Sequence, residues 1–106
     1  MDKREKVSVI LKPKAEQSIV DISIFIAGKG YPETALKFKD SLYEFAGSLS
    51  VFSHKYPICR HPSFARRNLH CAVFHKNYIF VYKMIKTNIV IYTIINTHTS
   101  PAFYSA

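Results

Sequence analysis

The run Ile89-Val90-Ile91-Tyr92-Thr93-Ile94-Ile95 constrains this chain more than any other segment. Side chains of a strand alternate between two faces, and here both faces are apolar, which places the strand in the interior of a sheet. Two further runs rich in Ile, Val, Tyr and Phe precede it, about Arg67 to Phe74 and Tyr78 to Ile85. The breaks at Lys76-Asn77 and Lys86-Thr87-Asn88 are short enough for hairpin turns. Three successive strands are therefore expected.

The first half has another period. Val7-Ser8-Val9-Ile10-Leu11, ended by Pro13, reads as a first strand. Ala15, Ile19, Ile22 and Ile26 then recur as one face of a helix, which Gly28-Lys29-Gly30 stops. Pro32 and Glu33 suit the first turn of a second helix, whose stripe is Ala35, Phe38, Leu42, Phe45, Leu49 and Phe52. Gly47 weakens that helix by about 1 kcal/mol against Ala, so fraying is expected beyond it. His54 to Ala65, with Pro57 and Pro62, reads as a loop.

The order is strand, helix, helix, strand, strand, strand. An α+β fold follows, with a helical hairpin on one face of a mostly antiparallel four-stranded sheet and basic residues on the other. A chain of 106 residues has room for one core, so residues 1–106 form one domain, with 96–106 as a mobile tail.

Charge is split unevenly along this chain. All seven acidic residues lie at or before Glu44. Beyond it stand Lys55, Arg60, Arg66, Arg67, Lys76, Lys83 and Lys86, with all five histidines. So one-sided a surface repels itself and suits an anionic partner: a nucleic acid, an acidic protein segment or a membrane surface. No apolar run has the length of a membrane span, and the charged N-terminus followed by a short apolar run is not an export signal. A cytoplasmic protein is expected. Its two cysteines, Cys59 and Cys71, are then expected as reduced thiols. His70 and Cys71 are adjacent in a strand and point apart, which argues against one shared zinc ion; no metal and no cofactor is expected.

Several stretches together are similar to the RelE/ParE superfamily of toxins from bacterial type II toxin–antitoxin modules, also called plasmid stabilisation proteins. Ala15 to Ile26 resembles the superfamily's first helix and Tyr31-Pro32-Glu33-Thr34-Ala35 its inter-helix junction. Leu49 followed by Tyr56-Pro57 resembles the exit of the second helix, and Asn77-Tyr78 with Tyr82 the central strand. Thr97-His98-Thr99-Ser100-Pro101 resembles the ending after the last strand. The likeness spans roughly residues 7–104 and rests on the conjunction of these pieces.

The resemblance implies a growth-arresting toxin held in a hetero-oligomer with an acidic antitoxin. RelE-like members are endoribonucleases that cut messenger RNA on the ribosome, whereas ParE-like members poison DNA gyrase without bond chemistry. RNA cleavage needs a base, a proton donor and cations around the scissile phosphate. RelE-like nucleases carry an arginine after the last strand and a tyrosine six residues on; here those positions hold His98 and Tyr104. Arg67, His98 and Tyr104 are the catalytic candidates on that branch. On either branch Arg60, Arg66, Arg67, Lys76 and Lys83 are candidates for target or antitoxin contact. The ending Thr97 to Pro101 is closer to ParE-like members, which favours gyrase poisoning.

An alternative without toxin activity is a small nucleic-acid-binding domain in which Tyr78, Tyr82 and Tyr92 stack on single-stranded bases. Their alternating strand positions favour packing against the core or the helices instead. A membrane-binding role is disfavoured because the helices carry most of the acids.

Overall fold

The computed structural model describes residues 8–52 and 54–97. Its elements are β1 (Ser8–Leu11), α1 (Pro13–Gly28), α2 (Pro32–Phe52), α3 (Pro62–Ala65), β2 (His70–Phe74), β3 (Tyr78–Ile85) and β4 (Asn88–Asn96). The sheet order is β1-β4-β3-β2. β2–β3 and β3–β4 are antiparallel hairpins, and β1 runs parallel to β4 in the register Ser8↔Asn88 to Leu11↔Ile91. The strand with two apolar faces is thus an interior strand, as its pattern requires.

Pro13 both ends β1 and opens α1, because proline has no N–H to leave unsatisfied in a first turn. The carbonyl of Lys12 accepts from the N–H groups of Ala15 and Glu16 at 2.9 and 3.0 Å. Between the helices Gly30 takes φ +97°, a conformation that glycine adopts without steric cost. Tyr31 then contributes the carbonyl that receives Ala35 N–H at 2.9 Å, and α2 begins. α2 continues past Gly47 to Phe52, so the expected fraying is absent from the helix. The neighbouring turns bury Ala46 and Leu49 against the sheet, and that packing outweighs a cost of about 1 kcal/mol.

The main core lies between the hairpin and the sheet. Ala15, Ile19 and Ile22 of α1 and Leu42, Ala46 and Leu49 of α2 meet Ala72, Phe80, Tyr82, Ile89, Ile91 and Ile94. Aromatic rings fill one end of it: Phe45 lies 4.7 Å from Phe74 and 4.9 Å from Phe80, centroid to centroid. Tyr78 and Tyr82 point into this layer, Tyr78 against Phe38 at 5.3 Å. Tyr82 is fully buried, and burial together with the neighbouring Tyr56 pushes its phenol up to about 12.

The other face of the sheet differs from expectation. Rather than standing bare, it carries a second, smaller core of Cys59, Leu69, Ile79, Val81 and Ile95, with Phe64, Cys71 and Tyr92 packed against it. The segment read as a loop folds back over that face and contains a short helix, α3. β2 begins at His70 rather than Arg67, because residues 66–69 finish the turn after α3.

Candidate cationic interface

The site is built on that folded-back segment. Ile58 forms a bridge with His70, Cys59 N–H donates to Leu69 O at 2.8 Å, and Cys71 N–H donates to Pro57 O at 3.2 Å. His70 Nδ1 lies 2.8 Å from Tyr56 O, which holds the start of the segment beside β2. Pro62 occupies the first turn of α3, and His61 caps it, its Nδ1 accepting from Ser63 N–H at 3.3 Å. After α3 the chain reverses through Asn68 at φ 58°, a conformation asparagine tolerates better than most residues.

This path sets the arginines. Arg60 precedes α3, and Arg66 and Arg67 follow it, all three exposed. A helix of four residues is only about 6 Å long, so the segment carries them in one cluster. The expectation that a strand begins at Arg67 is corrected: Arg66 and Arg67 belong to the turn at the end of α3. The guanidinium of Arg67 lies over the Tyr92 ring, 5.3 Å from its centroid. Tyr92 is the extra residue at the register shift of β4, opposite Val81 and Tyr82 of β3.

Lys83 shares the outer face of β3 with Ile79 and Val81, and its register partner is Val90, two residues before Tyr92. Arg67 and Lys83 therefore stand near one another on this face. Lys76 does not join them. It lies in the β2–β3 turn at φ 64°, while Lys83 is roughly 17 Å further along β3 from Tyr78. His98 and Tyr104 lie outside the described residues.

Electrostatically the molecule has two sides. Every described carboxylate, Glu16, Asp21, Glu33, Asp40 and Glu44, is on α1 or α2, where Lys14, Lys29, Lys37 and Lys39 offset them. Residues 54–97 carry seven Lys/Arg and no carboxylate. The sheet layer therefore has no carboxylate of its own to offset its cations among the described residues.

Cys59 and Cys71 are joined in a disulfide, with Cα atoms 4.9 Å apart. This corrects the expectation of two reduced thiols: the fold-back at Pro57–Leu69 sets Cys59 beside β2, on the face to which Cys71 points. His70, next in sequence to Cys71, instead stacks on Tyr82 at 5.3 Å on the helix side. Among the described residues no three His, Cys, Asp or Glu side chains are grouped so as to hold a metal ion.

The stacking-platform reading fares poorly on this geometry, since Tyr82 is enclosed and Tyr78 packs on Phe38. Sequence reasoning missed α3, the second core and the Arg67–Tyr92 contact. Pro62 followed by Phe64 and Leu69 was the available signal for a short helix folded onto something apolar.

A mixed four-stranded sheet backed by two antiparallel helices, with cations gathered on the layer away from them, describes a small toxin-like domain. The family model for the ParE toxin of the type II toxin-antitoxin system parDE matches residues 9–101, and the chain belongs to that family. Among solved structures it is similar to one described as "Chromosomal ParDE TA system from P. aeruginosa". The TM-score is 0.73 at 16% sequence identity, over 86% of this chain and 96% of that one, a likeness of fold. No curated protein sequence matches. Membership makes the chain the toxin component of a type II toxin–antitoxin module, with an antitoxin as its partner. Among the described residues no helix is long and apolar enough to cross a membrane.

Proposed function

We propose that this toxin arrests growth in the cytoplasm by poisoning DNA gyrase, and that an acidic segment of its antitoxin silences it by covering Arg60, Arg66, Arg67 and Lys83. The observation that carries this reading is the segregation of charge in a ParE-family chain: seven cations and no carboxylate between residues 54 and 97. Such a surface attracts an anionic partner over a distance and orients it on arrival. Contact at exposed arginines also avoids the heavy desolvation of a buried ion pair. Lys76, at the far end of β3, extends the contact rather than centring it. No covalent step is required, so the protein acts as a binder and not as an enzyme.

Expression of the chain alone tests the reading. Growth arrest with DNA breaks and an SOS-type response, relieved by co-expressing the product of an adjacent antitoxin gene, is the expected result. Arrest with cleaved translated messages and intact DNA would move the protein to the RelE-like nucleases and return Arg67, His98 and Tyr104 to the catalytic role. Unimpeded growth would count against both.

A further inference from the structure

We propose that the Cys59–Cys71 bond is a redox-controlled staple: closed, it holds the arginine segment in the form that grips an acidic peptide, and open, it lets that segment loosen. The inference rests on the cationic-surface reading and adds its regulation.

Four observations carry it. The bond closes the stretch that contains Arg60, Arg66 and Arg67, tying the base of the segment to β2. The other ties of the segment are all non-covalent: the Ile58↔His70 bridge, two backbone hydrogen bonds, the His70 Nδ1 contact with Tyr56 O, the Arg67–Tyr92 contact, and the packing of Leu69 and Phe64 on Ile79, Val81 and Ile95. Neither cysteine belongs to the main core of Leu42, Leu49, Phe80, Tyr82 and Ile89, so opening the bond leaves the helix–sheet packing in place. Finally, Cys71 is half-buried while Cys59 is only 4% exposed, so Cys71 is the more accessible of the two to a small or protein dithiol.

The chemistry is thiol–disulfide exchange with a cellular dithiol. Its thiolate attacks Cys71 Sγ, the Sγ–Sγ bond breaks, and Cys59 leaves with the electron pair and takes a proton. The second thiol of the reductant then attacks the mixed disulfide and releases Cys71, so the protein gains two electrons and two protons while the dithiol becomes a disulfide. Closure is the reverse, with a small disulfide of the glutathione class as oxidant. An ordered segment binds with less entropy left to lose, so the closed form is the tighter binder.

The test uses the whole chain and a synthetic oligoglutamate peptide, titrated calorimetrically at fixed salt against three samples: oxidised protein, reduced protein, and the C59A/C71A variant. The oxidised form is expected to bind about ten-fold more tightly than the other two. Hydrogen exchange on the oxidised and reduced wild type keeps the test sound if the variant does not fold. Amides of residues 58–71 should exchange faster on reduction while those of β3 and β4 hold. Equal binding by oxidised and reduced protein removes the staple and leaves the cationic surface standing. Exchange accelerated throughout β3 and β4 also overturns it, because the bond is then a general structural support. Absence of binding in every sample overturns the cationic-surface reading together with the staple.

Discussion

Arg67 and Tyr92 meet across two layers, the guanidinium of one lying 5.3 Å from the ring centroid of the other. The contact joins the end of α3 to the irregular point of β4 and aims an exposed charge along the outer face. A double-mutant cycle with Arg67→Ala and Tyr92→Leu should return a coupling of about 0.5–1 kcal/mol in denaturant unfolding. Arg67→Glu should weaken antitoxin binding well beyond that figure and shrink its salt dependence. Unchanged affinity for Arg67→Glu would detach this residue from the partner surface.

Lys76 separates stability from binding. It stands at φ 64° in the β2–β3 turn, directly after His75 at φ 53°, where a side chain is disfavoured. Lys76→Gly should therefore raise stability by about 1 kcal/mol. If Lys76 extends the cationic surface, the same change lowers affinity for the antitoxin. Thermal melts and a binding titration on one variant check both halves, and a lower melting temperature would refute the turn argument.

Alkaline pH should destabilise this fold through its tyrosines. Burial raises Tyr78 and lifts Tyr82 to about 12, and Tyr43 is raised by its hydrogen bond to Glu16 and by burial. From pH 10 the unfolded chain releases its Tyr82 proton while the folded one keeps it, so fewer protons are bound in the unfolded state and stability falls as pH rises. The loss runs from pH 10 to about pH 12 at about 1.4 kcal/mol per unit for this group. Urea unfolding at stepped pH should show a shallower alkaline slope for Tyr82→Phe than for wild type. Identical slopes would mean that Tyr82 is not the group responsible.

The two helices are also tied at their solvent side. Tyr43 donates its hydroxyl to Glu16 Oε1 at 2.8 Å. Tyr43→Phe keeps the ring and removes the bond, with an expected cost of about 1 kcal/mol. Because the pair is exposed, the cost should shrink in high salt; a salt-independent loss would point to ring packing instead.

How far the sequence carried the reading depended on the range of the forces involved. β3 was legible at both ends because Lys76-Asn77 and Lys86-Thr87 mark local turns, and α2 because its apolar stripe repeats for five turns. Both are properties of neighbouring residues. The charge split was also legible, since counting needs no geometry. What escaped was non-local. α3 is one turn long, too short for a periodic signal, and it exists because Phe64 and Leu69 find the outer face of the sheet. The Cys59–Cys71 bond depends on the same return path. The expectation of free thiols came from an assumed compartment, not from any residue near them. Lys76 and Lys83 looked like neighbours in sequence, yet an extended strand carries them to different ends of the sheet.

β4 is the last of these elements to leave the ribosome, and it fills the slot between β1 and β3. Until it arrives, β1 has no neighbour to pair with and the α1–α2 hairpin faces an unfinished surface. Assembly therefore waits on residues 88–96, and the wait is long because the β1–β4 pairing joins segments some 80 positions apart. For a protein harmful to its maker, this delays the formation of a working surface until residues 88–96 have emerged, by which time a neutralising partner can already be at hand.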